Sequence, residues 1–383
     1  MANKTALVVG GGNGIGAALT ARLLKQGYSH IYVLDKTKPC LEDEKIEFVP
    51  VDLRDCDFSM FQAYKHVDTL IITAGFGRPA LFSTFADKEI ENGFRVNALS
   101  PIRIIRQFYD RLAGKEDFSC VVMGSIAGLV SSPAFSVYAA TKAAVCRFIE
   151  SVNIELLKSG TKNRILNVSP GSLRGTRFNG GENDLSLLEE VADTILDKME
   201  KKETLYIPDY DSIYKGVLER YRADGEKFGA ESYDYKMQSG RINNRPQMKI
   251  GYLSGTFDLF HVGHLNLLRR AKAYCDYLVV GVHHNGSHKG KETFIPYDER
   301  VEILKSIKYV DKVIPSKPED VDVYNEIPYH YLFVGSDYKG TERFMRYEEY
   351  FKDKDVEIIY FPYTQKTSST KIREAIVQKT EKK

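Results

Sequence analysis

Three side chains in the first half of this sequence have types and spacing that suit carbonyl chemistry: Ser125, Tyr138 and Lys142. Tyr138 and Lys142 stand four apart, so a helix puts both on one face. Ser125 lies thirteen residues before the tyrosine, just past the apolar run Cys120 to Met123. A carbonyl that is to accept hydride needs a proton donor and a group that holds its oxygen. A free tyrosine has a pKa of about 10, too high for easy exchange near neutrality. A lysine ammonium one turn away would stabilise the phenolate. Lowering the pKa by roughly 3 units takes about 4 kcal/mol, which a close charge in a partly dry site can supply. Ser125 would hydrogen-bond the carbonyl oxygen as charge develops on it.

A second group lies in SGTFDLFHVGHLN, Ser254 to Asn266, where His261 and His264 stand three apart. An apolar run, Ile250 to Leu253, leads in, and a helix-like run, Leu265 to Ala273, follows. A strand that breaks at Gly255 and turns into a helix near His264 would set both imidazoles at a helix N-terminus, where an anion is favoured. His283, His284 and His288 follow, but no nearby cysteine or paired carboxylate completes a zinc site, so no metal centre is expected.

The elements that must position these groups are legible as alternating patterns. Strand-type runs occur at Thr5 to Val9, Ile31 to Leu34, Glu47 to Val51, Thr69 to Thr73, Cys120 to Met123 and Arg164 to Val168, with helical patterns between them. That alternation predicts a doubly wound parallel sheet, class α/β. The first strand ends in GGGNGIG, Gly10 to Gly16, whose glycines let a backbone approach a pyrophosphate at a helix N-terminus. Asp35, at the end of the second strand, can accept hydrogen bonds from a ribose diol and favours NAD; Lys36 beside it could receive the 2′-phosphate of NADP. The composition changes over Tyr210 to Gln247, which is rich in Tyr, Lys, Arg and Glu. Asp211 to Arg222 suits an amphipathic helix, and Gly225 to Gln247 reads as a polar linker. The expected domains are therefore 1–209, a linker over 210–247, and 248–383. The last has strands at Met248 to Leu253, Tyr277 to Val282, His330 to Val334 and Val356 to Phe361. Helical patterns cover Val301 to Ser306 and Ser369 to Val377.

Lys+Arg and Asp+Glu nearly balance, 54 against 52, so net charge does not point to nucleic acid or to a membrane surface. The five cysteines are scattered without a CxxC pair, which fits reduced thiols in a cytosol. The N-terminus lacks the apolar core of a signal peptide, and no apolar run approaches the 18 residues of a membrane span. The expectation is a cytoplasmic protein.

The first half, about Lys4 to Pro208, resembles the classical short-chain dehydrogenase/reductase family. VGGGNGIG matches its glycine motif, with Gly10, Asn13, Gly14, Ile15 and Gly16. Asp52 in VDL matches the adenine-contacting acid, and TAGFG, with Ala74 and Gly75, the usual NNAG turn. Asn97 in RVNAL matches the helix asparagine; Pro170 and Gly171 of SPG, followed by Thr176, match the nicotinamide-side loop. The resemblance implies an NAD or NADP cofactor, a Rossmann-type domain, and a catalytic tetrad of Asn97, Ser125, Tyr138 and Lys142. Val9 and Ile72-Thr73 depart from the family pattern at structural hydrogen-bonding positions.

The second half, about Lys249 to Arg373, resembles the HxGH nucleotidyltransferases of the glycerol-3-phosphate cytidylyltransferase group, which implies a smaller Rossmann-like domain. Gly255, Thr256, Phe257 and Asp258 belong to the nucleotide-binding start with His261 and His264. HKGKETFIPYDER carries Lys289, Lys291 and Arg300; VGSDYKG carries Asp337; TSSTKIR carries Ser368, Ser369 and Thr370. Tyr363, Gln365 and Lys366 stand where the family signature has Arg, Glu and Gly. A phosphate monoester is already mostly dianionic, with a second pKa of about 6, and needs no general base. What it needs is cations and donors against an anionic triphosphate: His261, His264, Lys289, Lys291, Arg300, the helix N-terminus, and Mg²⁺ on the leaving pyrophosphate.

Together the resemblances imply an enzyme that reduces a ketose phosphate to an alditol phosphate and joins it to CMP from CTP, a CDP-alditol synthase feeding teichoic-acid-like or capsular polymers. Ribitol and arabinitol are the expected alditols. Short-chain reductases pair through helices, so a homodimer is expected. Three alternatives stand: nucleotidyl transfer before reduction, an adenylyl donor, or a reductase-like half that serves assembly only.

Overall fold

The computed structural model describes residues 4–179, 182–240, 242, 248–284 and 293–362. The chain forms two compact units, Met1–Arg245 and Pro246–Lys383.

The first unit is built on a parallel seven-stranded sheet. Its strands are β1 (Thr5–Val9), β2 (His30–Asp35), β3 (Ile46–Pro50), β4 (Thr69–Ile72), β5 (Ser119–Met123), β6 (Ile165–Val168) and β7 (Leu205–Tyr206), in the order β3-β2-β1-β4-β5-β6-β7. The helices are α1 (Gly14–Lys25), α2 (Asp87–Phe94), α3 (Ser100–Ala113), α4 (Ser136–Ser159), α5 (Glu189–Glu200), α6 (Lys215–Ala223) and α7 (Gly225–Gln238). Because β1 is central, Ala6, Leu7, Val8 and Val9 are all buried. Leu7 and Val9 enter one core with Phe61, Phe108 and Ile149, while Ala6 and Val8 enter the other with Leu19, Ile31 and Ile195. The strand period of two thus splits one apolar run between two layers.

One expectation fails here. The polar stretch from Gly225 is a helix as far as Gln238, capped by Asp224, whose side chain accepts from the Lys227 N–H at 2.9 Å. Its polar residues mark an exposed helical face. The helix expected over Asp211 to Arg222 begins as a π-helical turn, Tyr210–Tyr214, before α6.

The second unit has a parallel five-stranded sheet in the order β10-β9-β8-β11-β12. The strands are β8 (Ile250–Gly255), β9 (Tyr277–Val282), β10 (Lys312–Pro315), β11 (Tyr331–Gly335) and β12 (Glu357–Phe361). Around them lie α8 (Val262–Tyr274), α9 (Tyr297–Lys305), α10 (Asp320–Glu326) and α11 (Glu342–Phe351). In both sheets the strand order reverses beside the first strand, at β1/β4 and at β8/β11. Loops after the carboxyl ends of such strands form the ligand crevice of open α/β sheets. Both sequence groups fall on or beside these loops. The helix expected over Ser369 to Val377 lies outside the described residues.

Candidate active sites

The glycine loop after β1 is tight by necessity. A Cβ on Gly16 would sit 2.2 Å from the Gly10 carbonyl oxygen, and one on Gly10, whose φ is +91°, would sit 2.3 Å from the Ala74 nitrogen. Thr73 takes up the tying role at a position where the family pattern has asparagine: its hydroxyl donates to the Gly10 carbonyl at 3.0 Å. A Cβ on Gly14, whose φ is +54°, would meet the Thr176 side chain at 3.7 Å, an ordinary contact. A tight glycine turn at the start of α1 is of the kind that fits a dinucleotide pyrophosphate. Asn13 and Ile15 lie in the same turn, and Ile15 packs on the core. Asn183, which the sequence reading did not single out, accepts the Gly14 N–H through its side chain at 2.7 Å.

Asp35 binds its own loop: one carboxylate oxygen accepts from the Gly12 N–H at 2.9 Å, the other from the Thr37 N–H at 3.0 Å. Asp52 is gripped by Arg54 (2.6 Å), whose hydrogen bonds and charge outweigh burial and hold its carboxyl below the usual range.

Around β5 and α4 the structure brings the four expected catalytic residues into one neighbourhood. Ser125 is buried, and its hydroxyl accepts from the Ala127 N–H at 3.2 Å. Its hydroxyl also donates to the Pro170 carbonyl at 3.4 Å, which ties it to the loop that carries Gly171. The Lys142 ammonium donates to the Met123 carbonyl at 2.8 Å and lies 5.7 Å from the centre of the Tyr138 ring. Asn97, in a π-helical turn, is spent on structure: it accepts from the Phe76 N–H at 2.9 Å and donates to the Phe76 carbonyl at 2.7 Å. A Cβ on Gly75 would lie 3.3 Å from Asn97 Oδ1 and 3.4 Å from Lys142 Nζ, so Gly75 lies between them.

Burial dominates the protonation of this group. It pushes Tyr138 up to about 12, partly offset by the nearby Ser125 hydroxyl, and pushes Lys142 down to about 8. The direction is opposite to the lowering expected from the Tyr–Lys spacing: burial disfavours the phenolate, and the lysine ammonium is tied to the Met123 carbonyl. Tyr138 is a protonated phenol at neutral pH, the form that donates a proton to a ketone oxygen.

In the second unit β8 ends at Gly255 and α8 begins at Val262. Between them Phe257 and Leu259 hold φ of 53° and 49°, two left-handed non-glycine residues in three, strain of the kind that collects at functional loops. His261 caps α8, its Nδ1 accepting from the Gly263 N–H at 3.0 Å. That bond leaves the ring proton of the neutral form on Nε2. His264 stacks on His261, centroids 4.1 Å apart, and is flanked by Phe257 and Phe260. Burial, with His261 beside it, pushes His264 down to about 4; burial also lowers His261. Burial thus favours the neutral form of both rings at pH 7, in which each carries one ring N–H. His264 Nδ1 is buried and has no partner among the described residues.

Three of the expected nucleotide-binding residues make contacts within the unit. Phe257 packs in the core. Asp258 accepts the Phe294 and Ile295 N–H groups at 3.1 and 2.9 Å. Arg300, 1% exposed, donates to the carbonyls of Thr256 (2.5 Å), His283 (2.9 Å), His284 (2.8 Å) and Ile295 (2.9 Å). Its guanidinium fixes the loops after β8 and β9. Nothing in a pattern of residue types separates an arginine aimed at phosphate from one aimed at carbonyls. Asp337 is exposed beside Gly335 at the end of β11. Lys289, Lys291, Ser368, Ser369 and Thr370 lie outside the described residues, as do His288 and the altered signature at Tyr363 to Lys366. His283 hydrogen-bonds Ser316, and His284 stacks on Tyr297 at 3.9 Å.

The short chain dehydrogenase family matches residues 4–185, and the cytidylyltransferase-like family matches residues 252–375. A glycerol-3-phosphate cytidylyltransferase of Bacillus subtilis is 40% identical over 126 residues, covering 32% of this chain and 92% of that protein. The chain joins a short-chain dehydrogenase domain to a cytidylyltransferase-like domain. An uncharacterized oxidoreductase of Bacillus subtilis, YvaG, is 28% identical over 181 residues, covering 44% of this chain and 68% of that one. A short-chain dehydrogenase from Burkholderia cenocepacia, solved in complex with NADP, shares the fold of the first unit. Its TM-score is 0.51 at 22% identity, covering 60% of this chain and 97% of that one. The fusion carries an oxidoreductase activity and a nucleotidyl-transfer activity. No helix among the described residues is long and apolar enough to cross a membrane.

Proposed function

We propose that the chain reduces a ketose phosphate to an alditol phosphate with NAD(P)H, then transfers CMP from CTP to that phosphate, giving a CDP-alditol and pyrophosphate. Ribulose and xylulose 5-phosphate are the favoured substrates. The observation that carries this reading is one of placement: the Lys142 ammonium lies 5.7 Å from the centre of the Tyr138 ring beside the buried Ser125, on the same chain as a stacked His261–His264 pair at a helix N-terminus.

The Gly10–Gly16 cradle, with Asp35, Asp52, Ala74, Pro170, Gly171 and Thr176, would hold a nicotinamide cofactor, which would supply the hydride. The ketone oxygen receives its proton from Tyr138 while Ser125 hydrogen-bonds it, and the Lys142 charge stabilises the phenolate left behind. In the second unit the alditol phosphate attacks the α-phosphorus of CTP and pyrophosphate leaves. His261 and His264 donate hydrogen bonds to oxygens that gain charge, with Lys289 and Lys291 as the expected cations. For the expected Mg²⁺, the described residues contain no cluster of three His, Cys, Asp or Glu side chains able to hold a metal. Exposed Ile154 and Leu157, three apart on α4, support pairing of two copies through that helix. Product use in capsule or teichoic-acid-like polymers, in the cytoplasm, follows from the same reading.

Separate losses test the reading. Tyr138→Phe should stop NAD(P)H oxidation with a ketose phosphate while CMP transfer to added alditol phosphate continues; His264→Ala should do the reverse. A Tyr138→Phe protein that still reduces would reject the first site, and a His264→Ala protein that still releases pyrophosphate would reject the second.

A further inference from the structure

Between Ser125 and Tyr138 the chain makes a tight turn, Ser132 to Phe135, closed by the Phe135 N–H donating to the Ser132 carbonyl at 3.0 Å. Pro133 is its second residue and Ala134, with φ 59°, its third. This is the type II arrangement, whose third position is normally glycine because a Cβ there is strained. Types I and II differ by a flip of the middle peptide, and the carbonyl that flips is that of Pro133. Lys236 of α7 donates to that carbonyl at 2.8 Å and to the Ser132 hydroxyl at 2.9 Å. Its ammonium lies 5.5 Å from the centre of the Phe135 ring, and that ring meets Tyr138 edge-on at 5.7 Å. The buried Ala134 uses its own carbonyl to accept the Ala80 N–H at 2.7 Å. No carboxylate lies within ion-pair distance of Lys236 among the described residues, and burial lowers its pKa to about 8.

We propose that Lys236 is a positioning residue of the reductase: by holding the Pro133 carbonyl it keeps the Ser132–Phe135 turn in its strained form and so fixes Phe135 against Tyr138. The stretch after the reductase fold is then part of the reductase's working structure, with α7 serving as a strut. This rests on the oxidoreductase activity of the first unit and not on the identity of its ketone. The competing role for an uncompensated ammonium near this site, contact with the substrate's phosphate, predicts different kinetics.

The test uses the full chain with Lys236→Met, Lys236→Arg, Ala134→Gly and the Ala134→Gly/Lys236→Met double variant. Two readouts are taken: amide hydrogen exchange over residues 129–139, and kcat and KM for a ketose phosphate that the wild type reduces. Lys236→Met should raise exchange in that segment and lower kcat about ten-fold or more with little change in KM, as misplacement of a catalytic group does. Lys236→Arg, which keeps donors, should lie near wild type. The double variant should recover protection and most of kcat, because glycine takes positive φ without help. A Lys236→Met effect confined to KM and not rescued by Ala134→Gly would overturn the proposal in favour of a phosphate contact. Unchanged exchange and kcat would overturn it outright. If the wild type reduces no ketose phosphate, the substrate reading fails, and the exchange measurements still decide the role of Lys236.

Discussion

His264 lies stacked on His261, ring centroids 4.1 Å apart and planes 22° from parallel, with burial holding its pKa near 4. A folded-state pKa below the ordinary value of about 6.5 means that the unfolded chain binds the proton more readily. Stability of the second unit is therefore lost as pH falls from about 6.5 towards 4. Its thermal midpoint should drop over that window, and His264→Gln should flatten the drop. A pH profile identical in wild type and variant would show that His264 is not the buried group responsible.

Lys142 gives the reductase a pH limb of the opposite sense. Its pKa of about 8 means that its charge is present below pH 8 and is lost above it. The phenolate formed when Tyr138 gives up its proton then loses its stabiliser. Rates of ketone reduction should fall above about pH 8, measured as kcat at saturating NAD(P)H. Lys142→Arg, if it turns over, should carry the falling limb to higher pH, since arginine stays charged.

Arg300 is expected to matter for stability rather than through direct contact with nucleotide. Four of its hydrogen bonds end on main-chain carbonyls, so Arg300→Met leaves several buried acceptors without a donor. The loss should be about 3 kcal/mol or more, seen in denaturant unfolding of the second unit. Arg300→Lys should rescue little, because one ammonium cannot span the fork. A variant that is fully stable but binds CTP poorly would return Arg300 to the phosphates.

Asn183 occupies a donor that a pyrophosphate needs, the Gly14 N–H, at 2.7 Å. Asn183→Ala removes the competitor. One hydrogen bond of about 1 kcal/mol corresponds to roughly five-fold, so NAD(P)H should bind several-fold more tightly in a fluorescence titration. Weaker binding would make Asn183 a cofactor ligand instead.

Fold class was readable because β1 and β9 are apolar runs bounded by turn residues, and both were bounded correctly to the residue. The β10 strand was missed: KVIP is short, lies at the sheet edge and is only partly buried, so it has little apolar signal. Helix α7 was missed because its polar residues look like a linker until it has a surface to lie on. The closeness of Tyr138 to Lys142 and of His261 to His264 was legible from their spacing. The direction of the Tyr138 pKa and the use of Arg300 were not, since both depend on burial and on carbonyls brought from distant loops.

The most direct measurement is NAD(P)H oxidation with a panel of ketose phosphates, first without CTP and then with it, followed by pyrophosphate release from the reduced mixture. Oxidation of a ketose phosphate without CTP, with pyrophosphate released once CTP is added, is the predicted result. Oxidation only when CTP is present, or none with any ketose phosphate, would contradict it.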